Sequence, residues 1–220
     1  VHPATGTAPG VLVWPDIFGL RPAFRDMGKR LAESGFSVLV VNPFYRQQKA
    51  PTASKGAATP IAELLPLAKP IQNSTTQITD AKAFTAWLDS QASVAKNRKI
   101  GTQGYCMGGP MAFRTAAASD RVGAIASFHG GGLVAMGEDS PHLMAAKTKA
   151  SLLIAIASND DKQRPMEKDV LKETFAKSGQ AAEIEVYSGQ HGWCPPDSGV
   201  YLMPDAEKAW SRLLELYKKL

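Results

Sequence analysis

The segment Gly104-Tyr105-Cys106-Met107-Gly108-Gly109 constrains this chain most, because a strand-like run over 99–103 enters it and a helix-like run over 111–118 leaves it. A strand, a turn and a helix built around G-x-C-x-G-G make a nucleophile elbow that carries a thiol. At such an elbow the central residue is held in a strained conformation at the top of a sheet. The residues two before and two after it then press against backbone where a Cβ would clash. Gly104 and Gly108 meet that demand, and Gly109 lets the helix approach the strand closely. The Met107 N–H is expected to point above the sulfur, where an acyl oxyanion would form, and the helix N-terminus favours a thiolate. The plain alternative is a buried, inert cysteine in an ordinary strand-to-helix turn.

A chain of 220 residues with 44% hydrophobic content can bury one substantial core, and one domain over 1–220 is expected. The net charge of +5 comes from lysines and arginines spread along the chain, not from a basic run interleaved with aromatics, so neither nucleic acid nor a membrane is the expected partner. No stretch of about 18 apolar residues is present to span a bilayer. Cys106 and Cys194 are too few for a disulfide framework, although they could pair with each other. A cytoplasmic protein is expected; the chain starts at Val1 instead of Met, which leaves open a removed targeting segment.

Apolar periodicity alternates along the chain. A short strand over 11–14, helical spacing over 24–32 and a β-branched run over 36–41 open it. A Pro-, Ala- and Ser-rich excursion over about 46–72 follows, with one helical turn near 61–65. Asn73 or Ser74 then caps an amphipathic helix through Ile78, Phe84 and Leu88. Beyond the elbow come strands over 122–128, 151–157 and 183–187, a helix through Val170 and Phe175, and a last helix over 205–220. Strands alternating with helices at this spacing predict an α/β fold, a mainly parallel sheet with helices on both faces.

Sites in such folds lie beyond the carboxyl ends of the strands. Cys106, Asp160 or Asp161, and His191 all fall there, in the order nucleophile, acid, histidine that α/β-type hydrolases use. An imidazole at His191 could take the thiol proton and return it to a leaving group, while the acid would hold the other ring N–H. Chemistry alone does not separate Asp160 from Asp161, since either could cap the next helix.

Together, the elbow, the Trp14-Pro15-Asp16-Ile17-Phe18-Gly19 segment, the acid after 151–157 and the closing His191-Gly192-Trp193 resemble the dienelactone hydrolase (carboxymethylenebutenolidase) family over nearly the whole chain. The resemblance implies a single-domain α/β-hydrolase fold with Cys106 as nucleophile, His191 as base and Asp160 as its orienting acid. It also implies an oxyanion hole made by the backbone N–H groups of Ile17 and Met107, and no metal or organic cofactor. Two departures stand out. Where the family usually has a glutamate beside the resting thiol, this chain has Asp16, which either tunes the thiol or shapes the turn before Gly19. The family's substrate-carboxylate arginines are also missing, because no arginine lies between Gln47 and Asn97 and the residues after His191 read Gly-Trp-Cys-Pro-Pro. Arg46 or Lys49 could stand in as a point charge.

Aromatics near strand ends, Trp14, Phe18, Phe44, Tyr45 and Trp193, suggest an apolar pocket, with Tyr45 and Trp193 as its expected substrate-contacting residues and His129 as a structural hydrogen-bonding residue. The expected function is cysteine-dependent hydrolysis of small carboxylic esters or lactones through an acyl-enzyme. The alternative is a non-catalytic hydrolase-fold binding or regulatory protein. A redox pair lacks C-x-x-C spacing, and the glycines of 101–109 do not follow the dinucleotide pattern.

Overall fold

A computed structural model describes residues 1–220. In chain order the elements are β1 (Gly10–Trp14), α1 (Pro22–Glu33), β2 (Ser37–Val40), α2 (Ile61–Ala68), α3 (Ser74–Ser90), β3 (Ile100–Tyr105), α4 (Gly108–Ala118) and β4 (Val122–Phe128). They continue with α5 (Pro141–Ala145), β5 (Ser151–Ile156), α6 (Ser158–Gln163), α7 (Glu167–Lys177), β6 (Ala182–Val186) and α8 (Met203–Tyr217). The six strands pair in parallel in the order β2-β1-β3-β4-β5-β6. The order reverses between β1 and β3, and the crevice beyond their carboxyl ends is where such sheets bind ligands.

Alternation along the strands divides the core in two. In β1, Leu12 and Trp14 join a cluster with Ala81 of α3, Phe113 of α4 and Phe175 of α7, while Val11 and Val13 join Phe24 of α1 and Leu213 of α8 on the opposite face. Each fully buried Leu or Phe here contributes roughly 1.5–3 kcal/mol of transfer free energy. Pro22 at the first turn of α1 costs that helix no hydrogen bond, and the Asn73 side chain caps α3 by accepting from the Thr76 N–H at 2.8 Å. No helix is long and apolar enough to cross a membrane.

The excursion over 46–72 is more helical than its prolines suggest: α2 runs through Pro66 and is followed by a 3-10 turn over Lys69–Ile71. Leu64 and Ala68 are buried there, so an apolar face outweighs poor propensity. Asp160 and Asp161 lie in the first turn of α6, not in a loop.

The junction of β3 and α4 is an elbow. Cys106 has φ of +52°, a left-handed conformation that few non-glycine residues adopt. A Cβ on Gly104 would sit 1.9 Å from the Gly108 carbonyl oxygen, and one on Gly108 would sit 2.4 Å from the Trp14 carbonyl oxygen. Both obstacles are backbone, so neither can rotate away. Gly104→Ala is therefore expected to destabilise the protein by more than about 3 kcal/mol. Gly131→Ala, whose Cβ would meet nothing within 4 Å, is expected to unfold like the wild type in urea.

Candidate active site

The elbow holds the Cys106 backbone on both sides, with its N–H donating to Phe128 O at 3.1 Å and its carbonyl accepting from the Gly109 N–H at 3.0 Å. Cys106 is partly exposed, Cys194 is buried, and both thiols are free, so no disulfide joins them. Because Gly108 packs on the backbone of Trp14 and Pro15, the start of α4 abuts the loop that follows β1. The Ile17 and Met107 N–H groups, one from each segment, donate to no protein acceptor.

His191 arrives on the loop after β6. Its backbone N–H donates to Asn159 Oδ1 at 2.7 Å, and its ring Nδ1–H donates to Asp160 Oδ2 at 2.7 Å. Asp161 is engaged elsewhere, accepting from Lys168 Nζ at 2.8 and 2.9 Å. Geometry thus separates two acids that chemistry alone left equivalent. Burial opposes a charge on the imidazole, but the hydrogen bonds and charges of Asp160 and Cys106 outweigh it and push His191 up to about 10.

Asp16 is bound up in another interaction. Its Oδ1 accepts from the Phe18 N–H at 2.9 Å and from Arg21 Nη1 at 2.7 Å, and its Oδ2 accepts from Arg21 Nη2 at 3.0 Å. Its carbonyl also accepts from the Gly19 N–H, so these contacts fit the turn-shaping reading and spend the carboxylate on Arg21. Arg21 is itself buried, and its Nε and Nη2 donate to Asp197 at 2.7 and 2.9 Å. Burial weighs against the guanidinium charge, yet the two carboxylates raise its pKa further. This network joins the Ile17 loop to the segment after His191. Sequence gave no signal for it, because Arg21 and Asp197 are 176 positions apart. Asn159 carries no sequence signal either, beyond its place beside Asp160.

The expected aromatic pocket is largely core. Trp193 is fully buried, stacked on Tyr187 at 4.9 Å and edge-on to Phe128 and His129. It braces the histidine loop from behind, since the apolar ring gains more from the second core than from solvent. Trp14 and Phe44 are equally buried. Tyr45 is exposed, but its hydroxyl donates to Asp80 at 3.0 Å and its ring leans on Phe84. Arg46 pairs with the same Asp80, which removes it as a free point charge for a substrate. His129 is not the hydrogen-bonding residue expected: it is fully buried, neither ring nitrogen has a partner, and its ring meets His191 edge-on at 5.1 Å. Burial, helped by the neighbouring His191, holds it well below the usual histidine range and hence neutral.

A family model for the dienelactone hydrolase family matches residues 1–220. The chain belongs to that family. It is 26% identical over 219 residues to a Synechocystis protein described as "Putative carboxymethylenebutenolidase", covering 98% of this chain and 87% of that one. It is 27% identical over 185 residues to a carboxymethylenebutenolidase of Rhodococcus opacus, covering 83% and 69%. A solved structure from Klebsiella pneumoniae, described as a "Putative Dienelactone Hydrolase", superposes with a TM-score of 0.82 at 21% identity over 99% of this chain and 89% of that one. The fold is accordingly that of the α/β hydrolases, and a hydrolase of dienelactone hydrolase type is what the family supports.

Two outcomes follow from the charges. Removing the cation in Arg21→Met leaves two acids facing each other, and is expected to cost about 3–5 kcal/mol in urea unfolding. The His191 ring is expected to titrate near 10 by NMR, and to fall toward the ordinary 6.5 in Asp160→Asn or after alkylation of Cys106. Because the folded-state pKa is the higher one, the stabilisation from this imidazolium is complete below about 6.5 and is lost as pH rises through about 10.

Proposed function

We propose that this protein hydrolyses small carboxylic esters or lactones by cysteine-based acyl transfer, with Cys106 as nucleophile, His191 as proton carrier and Asp160 as the group that orients it. The observation that supports this most is one imidazole bound at Nδ1 by Asp160 and raised by Cys106, beside an elbow that presents the sulfur.

With Nδ1 held by Asp160, the other ring nitrogen of His191 is left for the Cys106 thiol. The imidazole takes the thiol proton as the sulfur attacks. The new bond forms at the acyl carbon, and the carbonyl electrons move onto oxygen, where the free N–H groups of Ile17 and Met107 are the candidate donors. As the tetrahedral adduct collapses, the C–O bond to the alcohol breaks and the imidazolium gives its proton to the departing alkoxide. The neutral ring then takes a proton from water, hydroxide adds to the thioester, and the departing sulfur takes that proton back from the imidazolium. Atoms and charge balance, and no cofactor is called for.

With the family's arginine positions lacking and Arg46 held by Asp80, uncharged esters and lactones suit the site better than carboxylate-bearing ones. Stoichiometric iodoacetamide is expected to label Cys106 ahead of the buried Cys194 and abolish turnover of a small aryl ester; full activity of the labelled protein would refute the mechanism. His191→Ala should keep the fold and lower kcat/KM by roughly 10²–10⁴. Asp160→Asn should lose far more activity than Asp161→Asn.

A further inference from the structure

A cavity of about 190 Å³ opens between α1, α8 and the segment after His191. Its floor includes Tyr105, Phe128, Ala209 and Leu213, all buried. These side chains belong to the α1 and α8 core, whereas Cys106 packs on the other core and does not line the cavity.

One polar group in the floor has a bond to give. The Tyr105 hydroxyl oxygen accepts from Gln103 Nε2 at 2.8 Å, and Gln103 Oε1 is already taken by the Tyr217 hydroxyl at 2.9 Å. The Tyr105 O–H therefore donates to nothing in the protein. Burial drives its pKa well above the usual phenol value, so it stays a donor. At the rim, Arg30 pairs with Glu207 at 2.6 and 2.7 Å and stacks on Trp210 at 4.3 Å, while Asp26 adds a second carboxylate. Two acids against one guanidinium leave the mouth net negative, which disfavours an anion.

We propose that this cavity binds a small uncharged aromatic molecule carrying one hydrogen-bond acceptor, an aryl ketone being the simplest case, at a site separate from Cys106. The apolar floor takes the ring and the Tyr105 O–H meets the carbonyl oxygen. An apolar cavity of roughly 150 Å³ admits benzene, so 190 Å³ leaves room for a short polar substituent. Tyr105 directly precedes Cys106, and Cys194, which also lines the cavity, lies three positions beyond His191. An occupant thus rests against the residue that precedes Cys106 and against one three positions beyond His191.

Fluorine NMR of 4-fluoroacetophenone with the full chain, Cys106 already alkylated, tests the proposal. Saturable binding at one site per chain is expected, weakened at least about tenfold in Ala209→Met, which fills the floor, and about fivefold in Tyr105→Phe, which removes one hydrogen bond. Should Ala209→Met fail to fold, Ala206→Leu obstructs the same wall. Absence of saturable binding, loss of binding on alkylation, or an unchanged affinity in a folded floor-filling variant would overturn the assignment.

Discussion

Backbone touching backbone at the top of β3 is the contact on which this molecule is organised. The Gly104 Cα comes so near the Gly108 carbonyl that no side chain fits, and Gly108 in turn abuts the chain leaving β1. That double approach fixes three things together: the left-handed conformation of Cys106, the direction of α4, and the packing of the first residue of α4 against the chain that follows β1. Strain of this sort, of order 1–3 kcal/mol, persists only where surrounding packing over-determines it. Here the sheet on one side and Met111, Ala112 and Phe113 of α4 on the other supply that packing.

Electrostatics complete what sterics begin. Twice an acid distant in sequence reaches a basic partner: Asp160 meets His191, and Asp197 meets Arg21, which the nearby Asp16 also holds. The first pairing sets a protonation state, and the second sets a distance between loops. Behind His191, neutral His129 and Trp193 fill space without competing for its proton, at the cost of imidazole and indole nitrogens left unpaired. A phenyl ring at 129 would fill much of that space without the desolvation penalty, and nothing in the structure accounts for the choice of histidine there.

The parts legible in the sequence were those whose cause is local. Gly104 and Gly108 are readable because the turn itself forbids a Cβ, and the alternating apolar runs are readable because a two-sided parallel sheet needs them. His191 and the pair Asp160 and Asp161 could be located by their places after strands, yet the choice between the acids depended on Lys168, seven positions beyond Asp161, taking one of them. Trp193 lies in the core although its sequence context suits a pocket, because an aromatic beside a half-buried loop histidine has the same local appearance whether it faces a cleft or the core. Only the stacking on Tyr187, contributed by β6's end, decides it. The Arg21 network was invisible for the same reason: charge pairing across 176 positions leaves no periodic trace.

Burial of Arg21 also bears on how the protein meets strong brine. Pairs such as Lys29 with Glu33 or Lys177 with Glu173 sit in open solvent, where dissolved ions screen them within a few ångströms at high concentration. Arg21 and Asp16 have no such access. Electrolyte that erases the charge pairing on the helices leaves the Arg21 and Asp16 half of the network untouched and can reach the bridge to the histidine segment only through Asp197, whose side chain is 35% exposed, so the shape of the Ile17 loop is better insulated from the ionic medium than its tie across the cleft.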